Sequence, residues 1–135
     1  MRKSKNNSAY KKRLWRLVSE YVRRKDADSN GYVKCISCGV KKHYTELDAG
    51  HYLPKSKGNC IMWEIKNIHP QCTYCNRYMH GNQNPYALAL IDIYGQEILK
   101  ELEWKSHQTC PMNELDYLKL IEFYQNKLKQ LNETL

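Results

Sequence analysis

Six cysteines, five histidines and the Asp and Asn residues between them are the side chains of this 135-residue sequence whose types and spacing could do chemistry. Four of the cysteines form two C-x-x-C pairs, Cys35/Cys38 and Cys72/Cys75. Paired thiolates at this spacing are soft ligands, and two such knuckles make one closed tetrahedral zinc site. Ile36-Ser37 and Thr73-Tyr74 fill the two knuckle loops, and Gly39 follows the first pair. A disulfide framework would need an oxidising compartment. The basic N-terminus has no apolar stretch and cleavage site behind it, so no secretory signal is read. The expected place is the cytoplasm, that of the host cell if the chain is phage-encoded. Cys60 and Cys110 have no C-x-x-C partner and are expected to be free thiols.

Between the knuckles, and just after them, lie Asp48, His51, Asn67, His69, Asn76 and His80. Folding both knuckles onto one ion brings these segments together. Histidine is the side chain that titrates near neutrality, while Asp and Asn offer the hard oxygens that Mg²⁺ or Mn²⁺ prefer. Plainer roles stand beside these. His51 could be a hydrogen-bonded structural histidine, Asn67 purely architectural, and Asn76 an N-cap of the following helix. His80, one helical turn beyond Asn76, is a further candidate for the metal or a phosphate. His69 reads as packing or a phosphate contact.

The elements that must position these residues follow from periodicity. Residues 8–25 read as an amphipathic helix, with Tyr10, Leu14, Leu17, Val18, Tyr21 and Val22 on one stripe. Short strands are expected at Tyr32–Lys34, at Leu47–Leu53 and, returning, around Ile61–Trp63. A short helix should start within the second knuckle and run to about His80. Pro85 suits a first helical turn, Gly95 a break, and a last helix begins near Asn113 with Leu118, Ile121, Tyr124, Leu128 and Leu131 in steps of three and four. That final stripe could pack on the chain's own core or pair with a second copy.

The net charge of +8 is concentrated, with ten Lys/Arg against one acid in residues 1–25. Such a cluster suits a polyanion, nucleic acid before membrane, or else a solvated tail. Lys11, Lys12, Arg13, Arg16, Arg23 and Arg24, with Lys55, Lys57 and Arg77 nearer the histidines, are the candidate phosphate contacts. No apolar run is long enough to span a membrane.

A strand with Asp and His, a connecting Asn, and a helix opening on Asn after C-x-x-C together resemble the HNH, or ββα-metal, nucleases. The segments CISCG at 35–39, DAGHY at 48–52, NIHPQCTYCN at 67–76, GNQNPY at 81–86 and YGQE at 94–97 are similar in order and spacing to the NinG (Rap) recombination nucleases of lambdoid phages. That resemblance covers roughly residues 8 to 130; family members also carry a basic extension with further cysteines ahead of it. It implies His51 as the general base and Asn67 as the residue that orients it. It implies Asp48 and Asn76 as ligands of one Mg²⁺ or Mn²⁺, with His80 a further candidate, and a homodimer acting on branched or single-stranded DNA. Usual HNH strands place Asp immediately before His. Here three positions separate them, so a glycine bulge at Gly50 is expected to re-aim the histidine.

The expected fold is α+β: a single domain over 1–135, with a basic helix in 1–30, a zinc-stapled ββα core in 31–82 and C-terminal helices in 83–135. The expected activity is metal-dependent hydrolysis of phosphodiester bonds in branched DNA, a Holliday junction or flap. The alternatives are a non-catalytic zinc-stapled DNA-binding module and a sequence-specific HNH endonuclease.

Overall fold

A computed structural model describes residues 2–133, and side chains from Asn7 onward. The ends of the expected domain, residues 1, 134 and 135, lie outside the described residues. The chain runs from a long helix α1 (Arg2–Arg24) into strands β1 (Tyr32–Lys34), β2 (Lys41–His43) and β3 (Leu47–His51). A one-turn helix α2 (Asn59–Met62) precedes β4 (Ile68–Cys72), and a single π-helical turn follows over Tyr74–Tyr78. Helices α3 (Gln83–Tyr94), α4 (Ile98–Ser106) and α5 (Glu114–Glu133) complete a mixed α+β fold.

The apolar periodicity of the two long helices decides how they meet. Leu14, Val18 and Val22 recur every fourth residue on α1 and are fully buried. They pack on Tyr117, Ile121 and Tyr124 of α5, and on Ala49 of β3 and Ile68 of β4. Each such side chain contributes roughly 1.5–3 kcal/mol by leaving water. Ile121 and Tyr124 of the α5 stripe are therefore covered by the chain's own α1, while Leu118 stays exposed. A second cluster joins α2, α3 and α4 through Ile61, Tyr86, Leu90, Ile98 and Leu102.

Two antiparallel pairs carry the middle of the chain: β1 with β2, and β3 with β4. The returning strand is β4 rather than the expected Ile61–Trp63. The latter residues turn into α2, because Gly58 accepts from the amides of Ile61 and Met62 and closes a helical turn. The expected bulge at Gly50 is also absent. The ladder is unbroken from Leu47↔Cys72 through Asp48↔Gln71, Ala49↔Pro70 and Gly50↔His69 to His51↔Ile68. Side chains along it alternate strictly. Asp48, Gly50, His69 and Gln71 share one face, and Ala49, His51 and Ile68 share the other.

Gly50 is nonetheless required. A Cβ there would run into the Gln71 side chain, coming within 3.0 Å of its own Cβ and overlapping the amide oxygen. Gln71 is fully buried and donates through Nε2 to Ser37 Oγ at 2.9 Å and to Gly81 O at 2.7 Å. It ties the first knuckle and the segment after the π-helical turn to the sheet across the space that a side chain at residue 50 would fill.

The remaining cysteines depart from expectation too. Cys60 and Cys110 are disulfide-bonded, with Cα atoms 5.3 Å apart, and are not free thiols. The α4–α5 connection brings them together by running back past α2, where Asn59 Nδ2 donates to Cys110 O at 3.3 Å.

Candidate functional site

The site is built on the cysteine cluster. The four sulfurs of Cys35, Cys38, Cys72 and Cys75 all lie within 4.8 Å of one another. A tetrahedral ion with zinc–sulfur bonds of about 2.3 Å sets its sulfurs roughly 3.8 Å apart, and Cys38 Sγ stands 3.8 Å from Cys72 Sγ. Both knuckles have the same local geometry: Cys38 N–H points at Cys35 Sγ (3.5 Å) and Cys75 N–H at Cys72 Sγ (3.4 Å). Gly39 leaves the first knuckle at φ +78°, a conformation that favours glycine. Burial pushes the Cys75 thiol up to about 12, so thiolate there requires a cation to replace the proton. The donor set and spacing fit zinc, with Cys35, Cys72 and Cys75 buried and Cys38 exposed.

The knuckles join one sheet. Ile36 N–H donates to Pro70 O at 2.8 Å, docking the first knuckle on β4, while β4 itself ends in Cys72. Directly after Cys75, Asn76 Nδ2 donates to Asp48 Oδ2 at 3.0 Å, and Arg77 lies on the same carboxylate. The structure thus brings together Asp48 and Asn76, which the sequence placed 28 positions apart. Asn76 keeps its own amide oxygen for a further partner. Met79 N–H closes a five-residue step onto Tyr74 O, so the expected regular helix is one wide turn.

His51 stands at the end of β3 on the opposite face from Asp48. Adjacent residues of a strand alternate as well, so a spacing of three preserves the facing of a neighbouring Asp-His pair. It moves the carboxylate two residues, about 6.7 Å, further along the strand. The imidazole stacks on Trp15 of α1, with ring centroids 5.0 Å apart at 24°. Nε2 lies 3.0 Å from the Met62 carbonyl oxygen. A carbonyl only accepts, so Nε2 carries the proton and Nδ1 holds the lone pair. Burial lowers the His51 pKa, opposed by the Met62 carbonyl and helped by Lys55. The ring is therefore neutral at pH 7, with one basic nitrogen. Trp15 and Met62 carry no sequence signal for this role.

Asn67 is fully buried, and its amide braces the loop beyond β3. Oδ1 accepts from Leu53 N–H (2.9 Å), and Nδ2 donates to Leu53 O (3.0 Å) and Ile61 O (3.4 Å). It thereby fixes the residue next to Met62, the one that holds His51. His69 is a packing residue: Tyr94 OH donates to Nε2 (2.8 Å), and Nδ1 faces Tyr86 OH (3.3 Å), whose own proton goes to Gly50 O. Its burial drives its pKa down to about 4. His80 is exposed in the turn after Tyr78, with φ 50°.

The basic residues divide. Lys11, Lys12, Arg13 and Arg16 are exposed on α1, as are Lys55 and Lys57 after β3. Arg23 and Arg24 are half-buried and engaged, Arg23 with Ser19 and the Tyr44 carbonyl, Arg24 with Glu20 and Asn132. Both cations link α1 to other parts of the chain.

Comparison with known proteins decides the family. The family model described as Bacteriophage Lambda NinG protein matches residues 1–134. This chain belongs to the NinG family. It is 34% identical over 131 residues to protein ninG of Escherichia phage lambda, covering 96% of this chain and 61% of that one. To protein ninG of Escherichia phage 933W it is 32% identical over 130 residues, and to that of Salmonella phage P22 31% over 130, again with 96% of this chain covered. The chain spans about three-fifths of the length of these relatives, 62% of the 933W protein and 61% of the P22 protein. No solved structure matches it. Among the described residues, no helix is long and apolar enough to cross a membrane.

Proposed function

We propose that this NinG-family chain is a divalent-metal-dependent endonuclease of HNH type, cutting phosphodiester bonds in branched DNA during phage recombination. The observation that carries the reading is the setting of His51. Its Nε2 proton is fixed on the Met62 carbonyl and its ring is clamped on Trp15, while Asn67 braces the same loop. The result is a neutral imidazole with Nδ1 free to take a proton from water at neutral pH. Asp48 and Asn76, already in contact, present the hard oxygens for one Mg²⁺ or Mn²⁺, with His80 close in sequence as a further donor. Such an ion, when bound, stabilises charge on the scissile phosphate and the leaving oxygen. The sulfur site takes zinc, so the two metals do not exchange places. Lys11, Lys12, Arg13, Arg16, Lys55 and Lys57 grip backbone phosphates without reading sequence. Cutting two opposed strands of a junction would use two copies of the chain.

A second reading, a zinc-stapled DNA-binding module without cutting activity, draws on one observation: the Asp48 carboxylate is already occupied by Arg77 and Asn76. A nuclease assay separates the two. Zinc-loaded protein is given junction, flap, single-stranded and linear duplex DNA, with Mg²⁺ or with no divalent metal added. The nuclease reading expects Mg²⁺-dependent cutting of branched DNA that His51→Ala reduces at least ~100-fold, while DNA binding is kept. Undiminished cutting by His51→Ala would falsify the role of the imidazole, and absence of cutting by the wild type leaves the binding module. A homing-type enzyme would cut one duplex site regardless of branching.

A further inference from the structure

The π-helical turn that carries Asn76 also exposes two large rings that the proposed chemistry does not use. Tyr74 is 62% and Tyr78 72% exposed. The chain's other tyrosines are largely engaged: Tyr10 on Glu114, Tyr21 against Tyr124, Tyr44 under Arg23 and Arg24, Tyr86 and Tyr94 on His69. Among the described residues Tyr74 and Tyr78 have only each other for a ring partner, with centroids 6.3 Å apart and planes 29° apart. Their outer faces are open to water. Arg77 sits between them in sequence, its side chain 67% exposed.

We propose that Tyr74 and Tyr78 form a stacking platform for the unpaired bases of a DNA strand displaced at a branch, beside the Asp48–Asn76 pair. Two aromatic rings inclined at 29°, with Arg77 between them in sequence, would combine a π surface for bases with a cation that could exchange Asp48 for the adjoining phosphate. Paired bases hide their faces within the duplex, so the platform takes only nucleotides that are already unstacked. Cys72 and Cys75 belong to the sulfur cluster that anchors the backbone of this turn, so the two rings project from a fixed base. The strand would thereby be led toward the carboxylate from the side of its unpaired nucleotides. This rests on the nuclease reading for its meaning, though not for its measurement.

The test is binding with no Mg²⁺ or Mn²⁺ added, where no metal-dependent cutting intervenes, followed by fluorescence anisotropy of the zinc-loaded 135-residue chain. The probes are a labelled flap with unpaired nucleotides, a single strand, and a fully paired nicked duplex. Tyr74→Ala/Tyr78→Ala should lose roughly tenfold or more in affinity for flap and single strand, and under about twofold for duplex. Tyr74→Phe/Tyr78→Phe, which keeps both ring faces, should bind like the wild type. Equal losses on flap and duplex, unchanged flap affinity, or a Phe variant as weak as the Ala variant would each overturn the platform. A wild type that cuts nothing in Mg²⁺ but shows the ring-dependent preference removes the nuclease reading and leaves the platform standing. A wild type that cuts flaps while the Ala variant binds them undiminished removes the platform alone.

Discussion

Arg77 lies along both oxygens of the Asp48 carboxylate, Nε 3.2 Å from Oδ2 and Nη2 3.2 Å from Oδ1, while Asn76 donates to the same Oδ2. On the proposed metal role of Asp48, a divalent cation would compete with Arg77 for this carboxylate, and a displaced Arg77 would be free for a phosphate. Because the guanidinium side of the pair is 67% exposed, though the carboxylate is only 21% exposed, its grip is modest. Arg77→Ala should tighten Mn²⁺ binding by zinc-loaded protein roughly two- to fivefold, the worth of an exposed ion pair. Titration followed by electron paramagnetic resonance reads this directly, and weaker Mn²⁺ binding by the variant would contradict it.

Removing zinc should undo the site as well as the knuckles. Cys72 ends β4, and Ile36 N–H is docked on that strand, so the four sulfurs hold β3–β4 against the turn bearing Asn76. Metal analysis should find one zinc per chain. A strong chelator, or Cys72→Ser, should lower Tm by roughly 10 °C or more. An unchanged Tm after complete zinc loss would show that the apolar clusters suffice alone.

Reduction should act on a different part of the molecule. The Cys60–Cys110 bond closes a sequence separation of 50 residues and joins α2 to the segment before α5. Its loss should cost about 2–4 kcal/mol. Cys60→Ser/Cys110→Ser should melt as the reduced wild type does and ignore added phosphine reductant. Since Met62 closes α2, the reduced protein should also show broadened His51 ring signals by NMR.

Acid should destabilise the fold through buried neutral imidazoles. His69, with its pKa driven down to about 4 by burial, stays unprotonated in the folded chain while the unfolded chain binds a proton near 6.5. Stability is therefore full above about pH 6.5 and declines as pH falls toward about 4, by roughly 3 kcal/mol in all. His51, also lowered, acts in the same direction. Urea unfolding from pH 7.5 to 4.5 should show the decline, and His69→Gln should flatten it.

Gly50→Ala should be costly even though it sits in a regular strand. The added methyl meets the buried Gln71 side chain, and overpacking of this kind costs about 1–3 kcal/mol. Thermal denaturation of the variant, alone and with Gln71→Ala, measures it; the double variant should recover part of what Gly50→Ala loses through the clash.

The four-cysteine cluster was legible in the sequence because a C-x-x-C pair is a local motif whose spacing itself encodes the turn. The two long amphipathic helices and β3 were legible for the same reason, since their apolar periods are properties of short windows. The return strand was misplaced because a short apolar run such as Ile61-Met62 fits helix or strand equally well. Only Gly58 and the packing of Ile61 on Tyr86 and Leu90 make it a helical turn.

By itself, then, the sequence determined which sulfurs, oxygens and imidazole exist and roughly which elements bear them. Tertiary structure alone decided that Asn76 reaches Asp48, that Trp15 and Met62 hold the His51 ring, and that Cys60 meets Cys110. It also decided that β3 runs straight through Gly50, since the need for glycine there comes from Gln71 on the neighbouring strand. Each of these is a contact between segments remote in the chain. Its energy depends on distance in space, and no local pattern of residues records that.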